Sequence, residues 1–383
     1  MATITGQRTT TGILSDQLAI DLGDRISLLE PDSQPLTVFS RAAGKARTVA
    51  TKFSWLEDSS EARFDAINNG AGYADNATSI VVDNGAYFAE HDLVLITRTT
   101  EMVRVTAVAT NTLTVVRGVG STAAAILDND ELYILGSAQP EGDTSKPARS
   151  SNPSKQTNYR QIFRDPFQSS RSLLASGFQV NPNDWAHQSK KSAIEHAKSI
   201  ELNLLLGRKS LDTSGSTERR TTGGLLSFIT TNQTDAGGTF TEAEFNTAMR
   251  QAGRYMRGRR LALASSAAVS ALNSFPAAKQ QVMGSSDKTY GLNVTNYQSP
   301  FGSLNLVYHP LLEGTKYGGY LVGVDLDEVT YRYLANDEYN RDTKVIPNIQ
   351  ANDLDGRKDE IKTECGLQVG QQKRHFVVTG IVA

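Results

Sequence analysis

The sequence predicts an α+β protein in which strands outnumber helices. Two strand-like stretches, at residues 45–62 and 141–168, lie far apart in the chain and enclose five short β-branched runs. Beyond residue 181 the hydrophobic period changes to that of a helix, and helix and strand signals then alternate. These observations together predict the fold class, with a small all-β segment interrupting a long β-hairpin.

Composition and charge exclude several classes of function. The chain has 39 Lys+Arg and 41 Asp+Glu, a net charge of -2, and so lacks the basic surplus that non-specific phosphate binding needs. Cys365 is the only cysteine, which excludes an intramolecular disulfide and zinc sites built on thiolate pairs. There is no run of 18 apolar residues and no apolar leader. We expect a protein of a reducing aqueous compartment, with no cofactor, metal or membrane partner.

The first 44 residues have the composition of an extended arm. Short apolar clusters lie among Thr, Ser and Asp, with prolines at Pro31 and Pro35. Such a segment buries little of its own surface, so it would order best against other surfaces.

The two hairpin strands are predicted from residue alternation. In residues 47–55 the side chains of Phe53 and Trp55 share one face with Arg47. The predicted partner strand begins at Thr157, and we expect Asp165-Pro166 to end it because proline cannot donate to a ladder.

The pattern of residues 63–140 predicts a separate unit at the tip of this hairpin. The predicted strands are TSIVVD, DLVLITR, EMVRVTAV, TLTVVRG and ELYILG. Turn formers separate them, which is typical of a small all-β barrel or sandwich. The segment that follows is rich in Ser, Pro, Gly and Lys, which predicts a flexible connection back to the second hairpin strand.

A helix of about 25 residues is predicted over residues 181–206. Asn181 and Pro182 offer an N-cap and a first helical residue, and Gly207 offers a stop. The predicted buried stripe contains Ala186, Ala193, Ala197, Ile200 and Leu204. Residues 212–322 then alternate helix and strand signals, with a capping box opening at Thr241, and the remainder is mostly strand.

No catalytic constellation is visible. His187 and His196 fall on opposite faces of the long helix, so no metal pair is expected there. Asp325 and Asp327 have a spacing seen in cation sites, but on a strand we expect a solvated rim. The strongest phosphate candidate is the cluster Arg254, Arg257, Arg259 and Arg260. It lies where a helix ends, and cations there complement the helix dipole.

The stretch TNYRQIFRDPF, residues 157–167, interleaves aromatic and aliphatic side chains with two arginines. Rings and cations are what a single-stranded nucleic-acid groove uses. They are also enriched at the centres of protein interfaces. The balanced charge of the chain disfavours the first interpretation.

Five short sequence stretches, in the order in which they occur, resemble those of a known family. They are Trp55-Leu56-Glu57-Asp58-Ser59, Asn158-Tyr159-Arg160-Gln161-Ile162-Phe163, Thr222-Gly223-Gly224-Leu225, LALASSAAVSAL and SPFGSLNLVYHPLL. The chain resembles the major capsid proteins of tailed bacteriophages with the Hong Kong phage fold, in a subfamily with a β module inserted in the extended loop. The resemblance spans nearly the whole chain.

The resemblance implies an assignment for each part of the chain. These parts are an N-terminal arm (1–44), an extended loop hairpin (45–62 and 141–168), an inserted β domain (63–140), a peripheral domain with a long spine helix (169–211 and 323–383) and an axial domain (212–322). The implied function is that of a major capsid protein and not of an enzyme. Copies would self-assemble into hexamers and pentamers of an icosahedral shell around a double-stranded DNA genome.

The resemblance also implies partners and a location. We expect a virion protein that is assembled in the host cytoplasm, with a decoration protein and a portal as further partners and packaged DNA as a non-specific neighbour. Some relatives cross-link covalently through a lysine and an asparagine near an acid. No motif marks that chemistry here, so non-covalent assembly is predicted. The alternatives are an encapsulin-like compartment shell and an enzyme with an unrecognised site.

In such a shell, five residues of the hairpin are predicted to make subunit contacts. They are Trp55, Tyr159, Arg160, Phe163 and Arg164. The prediction places the rings on an arm laid across an adjacent subunit, so that they would be buried only in the particle.

Overall fold

The computed structural model describes residues 34–60, 62–142, 152–176, 184–275, 280–281, 294–299 and 301–382. The chain forms two compact units. One contains the residues up to Trp55 and from Lys155 onward, and the other runs from Leu56 to Ser154. Each unit has its own buried apolar core.

Seven α-helices lie in the described ranges. They are α1 (Pro35–Ala43), α2 (Arg171–Ala175), α3 (Asp184–Leu206), α4 (Leu225–Phe228), α5 (Glu242–Gly253), α6 (Ser266–Asn273) and α7 (Gly314–Tyr317). Short 3-10 turns cover Gly85–Tyr87, Leu326–Glu328 and Gln372–Arg374.

Strands account for most of the regular structure, as the sequence predicts. They are β1 (Lys45–Thr48), β2 (Lys52–Glu57), β3 (Phe64–Ala66), β4 (Ser79–Val81), β5 (Asp92–Ile96), β6 (Glu101–Ala109), β7 (Thr112–Val116), β8 (Glu131–Ser137), β9 (Ser154–Tyr159), β10 (Gln161–Ser170), β11 (Ser210–Asp212), β12 (Arg219–Thr221), β13 (Gln233–Gly238), β14 (Arg260–Ala264), β15 (Gln280–Gln281), β16 (Val294–Ser299), β17 (Gly302–Tyr308), β18 (Leu321–Asp325), β19 (Val329–Leu334), β20 (Lys344–Ile346), β21 (Gly356–Val369) and β22 (Phe376–Ile381).

The larger unit has two apolar clusters, and the first of them lies on a five-stranded sheet. Its order is β1-β19-β21-β10, and β20 pairs with β21 as well. Helices α1 and α3 pack on one face, where Ile200 and Leu204 of α3 join Phe163, Tyr331 and Leu367 of the sheet in one apolar cluster. This burial is the main source of stability for the long helix.

The predicted buried face of the long helix is confirmed only for its C-terminal half. Helix α3 is described from Asp184, so the predicted cap at Asn181 lies outside the described residues. Its buried residues are His196, Ile200, Glu201, Leu204 and Leu205. Ala186 and Ala193 are exposed, so the predicted stripe is wrong there. A methyl side chain buries little area, so periodic alanines do not require a packing partner.

Helix α1 is an element that sequence patterns did not predict, and a buried carboxylate holds its first turn. Glu201 Oε1 accepts from Leu36 N at 2.7 Å, and Glu201 Oε2 accepts from Thr37 N at 2.7 Å and from the Thr37 hydroxyl. His309 Nε2 donates to the same carboxylate at 2.8 Å. A negative charge there satisfies the open N–H groups of the helix and complements its dipole.

The second half of the main unit is built on a seven-stranded sheet of order β13-β22-β18-β14-β17-β16-β15. Helices α5 and α6 supply Phe245, Met249 and Leu272 to its core. The predicted capping box is confirmed, because Thr241 Oγ1 accepts from Glu244 N at 3.3 Å and Glu244 Oε2 accepts from Thr241 N at 2.8 Å.

Two segments connect the two sheets, and they are bonded to each other. We call residues 325–328, from the last residue of β18 to the start of β19, and residues 370–375, between β21 and β22, the crossing segments. Arg374 forms ion pairs with Asp325, at 2.9 Å, and with Glu328. His375 Nδ1 accepts from Asp325 N at 3.2 Å, and His375 Nε2 donates to Gly370 O at 3.0 Å. The histidine is therefore neutral and fixed in one tautomer.

Asp325 is buried, which corrects the prediction of a solvated rim. Its carboxylate accepts from Arg257 N and from Asp327 N, each at 3.2 Å, in addition to the pair with Arg374. A strand pattern cannot show this, because two of the donors are distant in sequence: Arg257 lies in a turn 68 residues away, and Arg374 lies in the other crossing segment. Asp327 is exposed.

The unit from Leu56 to Ser154 contains a six-stranded sheet of order β3-β8-β5-β6-β7-β4. Each of the five runs predicted as strands forms one. An isolated bridge between Ile67 and Val82 joins the residues that follow β3 and β4, and so links the two ends of the sheet. The alternating inward residues form a separate core around Val94, Ile96 and Val103.

Both predicted hairpin strands are interrupted, which corrects their assignment as continuous elements. Strand β1 pairs in parallel with β19, and only the next strand, β2, pairs with β9. The partner stretch divides in the same way: β9 ends at Tyr159, and β10 begins at Gln161 and pairs with β21. We call the β2–β9 pair the ribbon.

The prediction that Asp165-Pro166 ends the second strand is also wrong. Strand β10 continues to Ser170, with Pro166 opposite Glu360 in the register. Because β10 is the last strand in the order of its sheet, proline is tolerated where an interior strand would lose a ladder bond.

Candidate functional site

The first part of the stretch 157–167 lies where the chain leaves the five-stranded sheet and enters the ribbon. We call residues 48–51 together with residues 158–161 the hairpin root. Both interruptions described above lie here, side by side, since Arg160 N donates to Thr51 O at 3.0 Å. The root therefore determines where the sheet ends and the ribbon begins.

Arg160 is the centre of the root and is buried within the chain. Its Nη1 lies 3.1 to 3.4 Å from the carbonyl oxygens of three successive residues, 48–50. Its Nε lies 3.4 Å from Glu364 Oε2. Burial lowers the pKa of Arg160, and the nearby Glu364 carboxylate opposes that shift. The guanidinium thus holds the bend between β1 and β2 by donating to the carbonyls of three successive residues.

Asn158 connects the root to the segment after the long helix. Its Nδ2 donates to Gly223 O at 2.9 Å and to Leu367 O at 2.7 Å, and its Oδ1 accepts from Gly223 N at 2.8 Å. Gln161 Oε1 accepts from Thr222 N at 3.0 Å. Two side-chain amides therefore pair with the backbone of one dipeptide, Thr222-Gly223.

Gly224 allows that segment to approach the end of α3 closely. Gly224 N donates to Gly207 O at 2.8 Å. A Cβ atom at Gly224 would lie 2.7 Å from both Asn203 O and Gly207 N, a distance at which backbone must shift. Only glycine fits here without displacing the helix end.

Two of the predicted interface rings are buried inside the single chain. Phe163 is 6% exposed and packs edge-on against His196, with ring centroids 6.4 Å apart. Trp55 is 9% exposed, and its ring centroid lies 6.2 Å from Phe53 and 5.8 Å from Phe228. The prediction that these rings are buried only in a particle is wrong for Trp55 and Phe163. They belong to the folded subunit.

The other predicted contact residues are more accessible. Tyr159 is half-buried, with Lys52 Nζ 5.9 Å from its ring centroid. The Arg164 side chain is 59% exposed and pairs with Glu360. Ile162 is exposed on the same side of β10 as Arg164. Because the chain is interrupted at Arg160, the alternation changes phase, and Phe163 points inward while its neighbours face solvent.

His196 and Cys365 are both buried. His196 Nδ1 lies 2.5 Å from Asp165 Oδ2, and its Nε2 lies 2.7 Å from Thr363 Oγ1. Burial raises the pKa of the Cys365 thiol to about 12, so the thiol stays protonated. Across the described ranges, no three His, Cys, Asp or Glu side chains are grouped to hold a metal ion.

Replacing Arg160 by lysine is expected to lower the free energy of unfolding by about 1–3 kcal/mol, because one ammonium nitrogen cannot occupy both the Nη1 position near the three carbonyls and the Nε position near Glu364. Urea denaturation followed by circular dichroism measures the change. Arg47→Lys, on an exposed arginine of β1, is the matched control and should stay within about 0.5 kcal/mol of the parent. Equal stability of the two variants would show that the guanidinium does not hold the bend.

The family model of the SU10 major capsid protein matches residues 3–382. The chain belongs to the SU10 major capsid protein family. It is a phage major capsid protein, as the order of its sequence phrases predicts. No match was found among curated proteins.

Solved structures share the fold of this capsid protein over almost its whole length. The capsid of the native GTA particle has a TM-score of 0.52 at 9% identity and covers 98% of each chain. A chain of Mycobacterium phage Bobi has a TM-score of 0.51 at 9% identity, covering 98% of this chain and 99% of its own. The holo-SrpI encapsulin of Synechococcus elongatus covers 61% of this chain and 77% of its own, at 12% identity and a TM-score of 0.42.

These findings confirm the α+β class and the Hong Kong phage capsid fold. The family match favours a phage capsid protein over the encapsulin-like alternative and over an enzyme. The described part of the chain has no helix that is both long and apolar enough to cross a membrane. The domain boundaries, the inserted β domain among them, stay predictions, as does the subunit-interface role of the hairpin residues.

Proposed function

We propose that this capsid protein assembles through non-covalent contacts into a closed icosahedral shell of hexamers and pentamers around double-stranded DNA. The observation that carries the proposal is the family match over residues 3–382. Assembly takes place in the host cytoplasm, a portal and a decoration protein are further partners, and DNA is a non-specific neighbour. The role of the protein is structural, without an enzymatic activity.

The ribbon supports a role in contacts between copies. A two-stranded ribbon is marginal by itself, because each strand has only one neighbour and leaves one edge unpaired. Exposed apolar side chains lie beside and within it, at Val49 and Leu56. Coverage by an adjacent copy would bury these side chains and stabilise the ribbon.

Within this proposal the five hairpin residues divide into two groups. Tyr159 and Arg164 are accessible and make the contact with the adjacent copy. Arg160, Phe163 and Trp55 hold the ribbon in position from inside the subunit. The 63–140 module is assigned to the outer surface, where it meets neighbouring modules or a decoration protein.

Purified protein is expected to form closed shells in negative-stain electron microscopy and in sedimentation. A denaturing gel of those shells should show single chains of 41.5 kDa, since assembly is non-covalent. A stable isolated monomer or dimer under all assembly conditions would contradict the shell, and a ladder of multiples on the gel would contradict non-covalent assembly.

The double variant Tyr159→Ala/Arg164→Ala is expected to stay folded, with a lowered melting temperature because the buried Glu360 carboxylate loses its partner, and to sediment as free subunits or small oligomers. Truncating an interface anchor costs about 2 kcal/mol or more per contact, and a shell repeats the contact many times. Tyr308→Ala/Arg63→Ala, which removes the same exposed residue types elsewhere, is the control and should form shells. If the Tyr159→Ala/Arg164→Ala variant forms normal shells, neither residue belongs to the interface.

A further inference from the structure

A turn with two acidic residues follows β19. We define the acidic turn as residues 336–340. Its tip exposes Asp337, Glu338 and the ring of Tyr339, which is 58% exposed. Asn336 Oδ1 accepts from the backbone N–H of residues 338 and 339, at 3.1 and 2.5 Å, and Asn336 N donates to Tyr339 O at 2.8 Å. These hydrogen bonds restrict the conformations of the tip.

The base of the turn is fixed as well. An isolated bridge pairs Ala335 with Asn340, and Asn340 Oδ1 accepts from Asp342 N at 2.9 Å. Asp342 then forms ion pairs with Arg41, at 3.2 Å, and with Lys45. A partner that binds the tip would therefore lose little entropy in ordering it, which favours affinity.

A basic and aromatic surface lies in the same unit, where α5 ends. We define the arginine surface as Arg254, Tyr255, Arg257 and Phe301. All four are exposed, and the Arg254 guanidinium lies 5.5 Å from the centroid of the Tyr255 ring. This surface includes half of the arginine cluster that the sequence marks as its strongest phosphate candidate.

The other two arginines of that cluster serve the fold. Arg260 Nη1 donates to Phe301 O at 2.7 Å, and its Nη2 donates to Met256 O at 2.8 Å. Arg259 lies 3.4 Å from Asp327 and from Ala43 O. Arg254 and Arg257 are exposed.

The C-terminal turn of α1 connects the two features. Arg41 pairs with Asp342 at the base of the acidic turn, and Ala43 O receives Arg259, next to the arginine surface. One subunit thus carries an acidic tip and a basic surface around the same helix end. Two different complementary patches on one chain produce a heterologous contact, which closes into a ring when copies are related by rotation.

We propose that the acidic turn of one copy binds the arginine surface of a neighbouring copy. The proposal rests on the proposed function, which supplies the neighbouring copies. Carboxylates of Asp337 and Glu338 match arginine forks, and Tyr339 joins the exposed rings. Tyr and Arg are the residue types that dominate interface energies. DNA phosphates would use the same arginines but would repel the acidic turn, so a protein partner accounts for both features.

The test uses reciprocal charge reversal in the full chain. Asp337→Lys/Glu338→Lys and Arg254→Glu/Arg257→Glu are each expected to raise the protein concentration needed for shell formation by about tenfold or more. The chain with all four substitutions restores opposite charges across the contact and should assemble within about threefold of the parent. Assembly is measured by sedimentation at fixed salt, and melting curves confirm that each variant is folded.

A matched control separates docking from net charge. Asp353→Lys/Asp355→Lys reverses two exposed carboxylates in another loop of the same unit and should assemble like the parent. The proposal is overturned if this control fails equally, if the four-fold variant is no better than the double variants, or if both double variants assemble normally. If the Arg254→Glu/Arg257→Glu variant forms normal shells that contain less DNA, the arginine surface binds DNA phosphate instead of the acidic turn. Absence of shells from the parent chain would overturn the proposed function itself.

Discussion

Replacing Phe163 by alanine is expected to destabilise the folded subunit by about 3–5 kcal/mol. The ring is buried in the cluster between α3 and the five-stranded sheet, in contact with His196, so truncation leaves a cavity that close-packed neighbours cannot fill. The midpoint of urea denaturation should fall without a change in slope. Far-ultraviolet circular dichroism follows the transition.

Tyr159→Ala is the matched control for this prediction, since Tyr159 is half-buried on the ribbon. It should cost less than about 1 kcal/mol of subunit stability. A double variant at Tyr159 and Phe163 would therefore mix a loss of subunit stability with any effect on assembly. If Phe163→Ala unfolds at the same urea concentration as the parent chain, the ring is not a core residue.

Acid is expected to weaken the crossing segments through His375. Burial lowers the pKa of this imidazole from 6.5 to about 4, because the charged form is poorly solvated there. The hydrogen bond to Gly370 O acts in the opposite direction but is outweighed. Between these two values the unfolded chain binds the proton and the folded chain does not. Stability from this group is therefore fully present above pH 6.5 and falls by about 3 kcal/mol as the pH drops to 4.

Urea denaturation at pH 7, 6, 5 and 4 measures this loss. His375→Gln keeps a donor for Gly370 O and does not titrate, so its stability should fall less steeply than that of the parent chain. Carboxylates with lowered pKa, such as Glu360, titrate in both chains and cancel in the comparison. Identical slopes for parent and variant would mean that His375 does not carry the acid sensitivity.

Local sequence signals predicted the elements that depend on near neighbours. The capping box at Thr241 and the strands of the 63–140 module were predicted because their caps, turns and alternation lie within a few residues of one another. The interruption at Arg160 was not predicted. It depends on β19 and β21, which lie about 170 to 200 residues further along the chain, and no local pattern contains that information.

For the candidate site, the correct stretch was identified but the roles within it were only partly predicted. Which residues face inward depends on strand phase, and one unpaired residue at Arg160 reverses that phase for everything after it. Asn158 and Gln161 were missed for another reason. A buried amide has no sequence signature, because its partners are backbone groups that only the fold brings near.

The carboxylate of Glu201 joins parts of the chain that the ribosome makes at different times. Glu201 follows Leu36 by 165 residues, and His309 follows Glu201 by another 108. At about 5–20 residues per second, the first interval lasts roughly 8–33 s and the second roughly 5–22 s. Strand β1 pairs with β19 and strand β10 with β21, and the intervals between their synthesis are longer still. Much of this subunit therefore folds after translation, and its early strands leave the ribosome with unpaired edges that chaperones can bind.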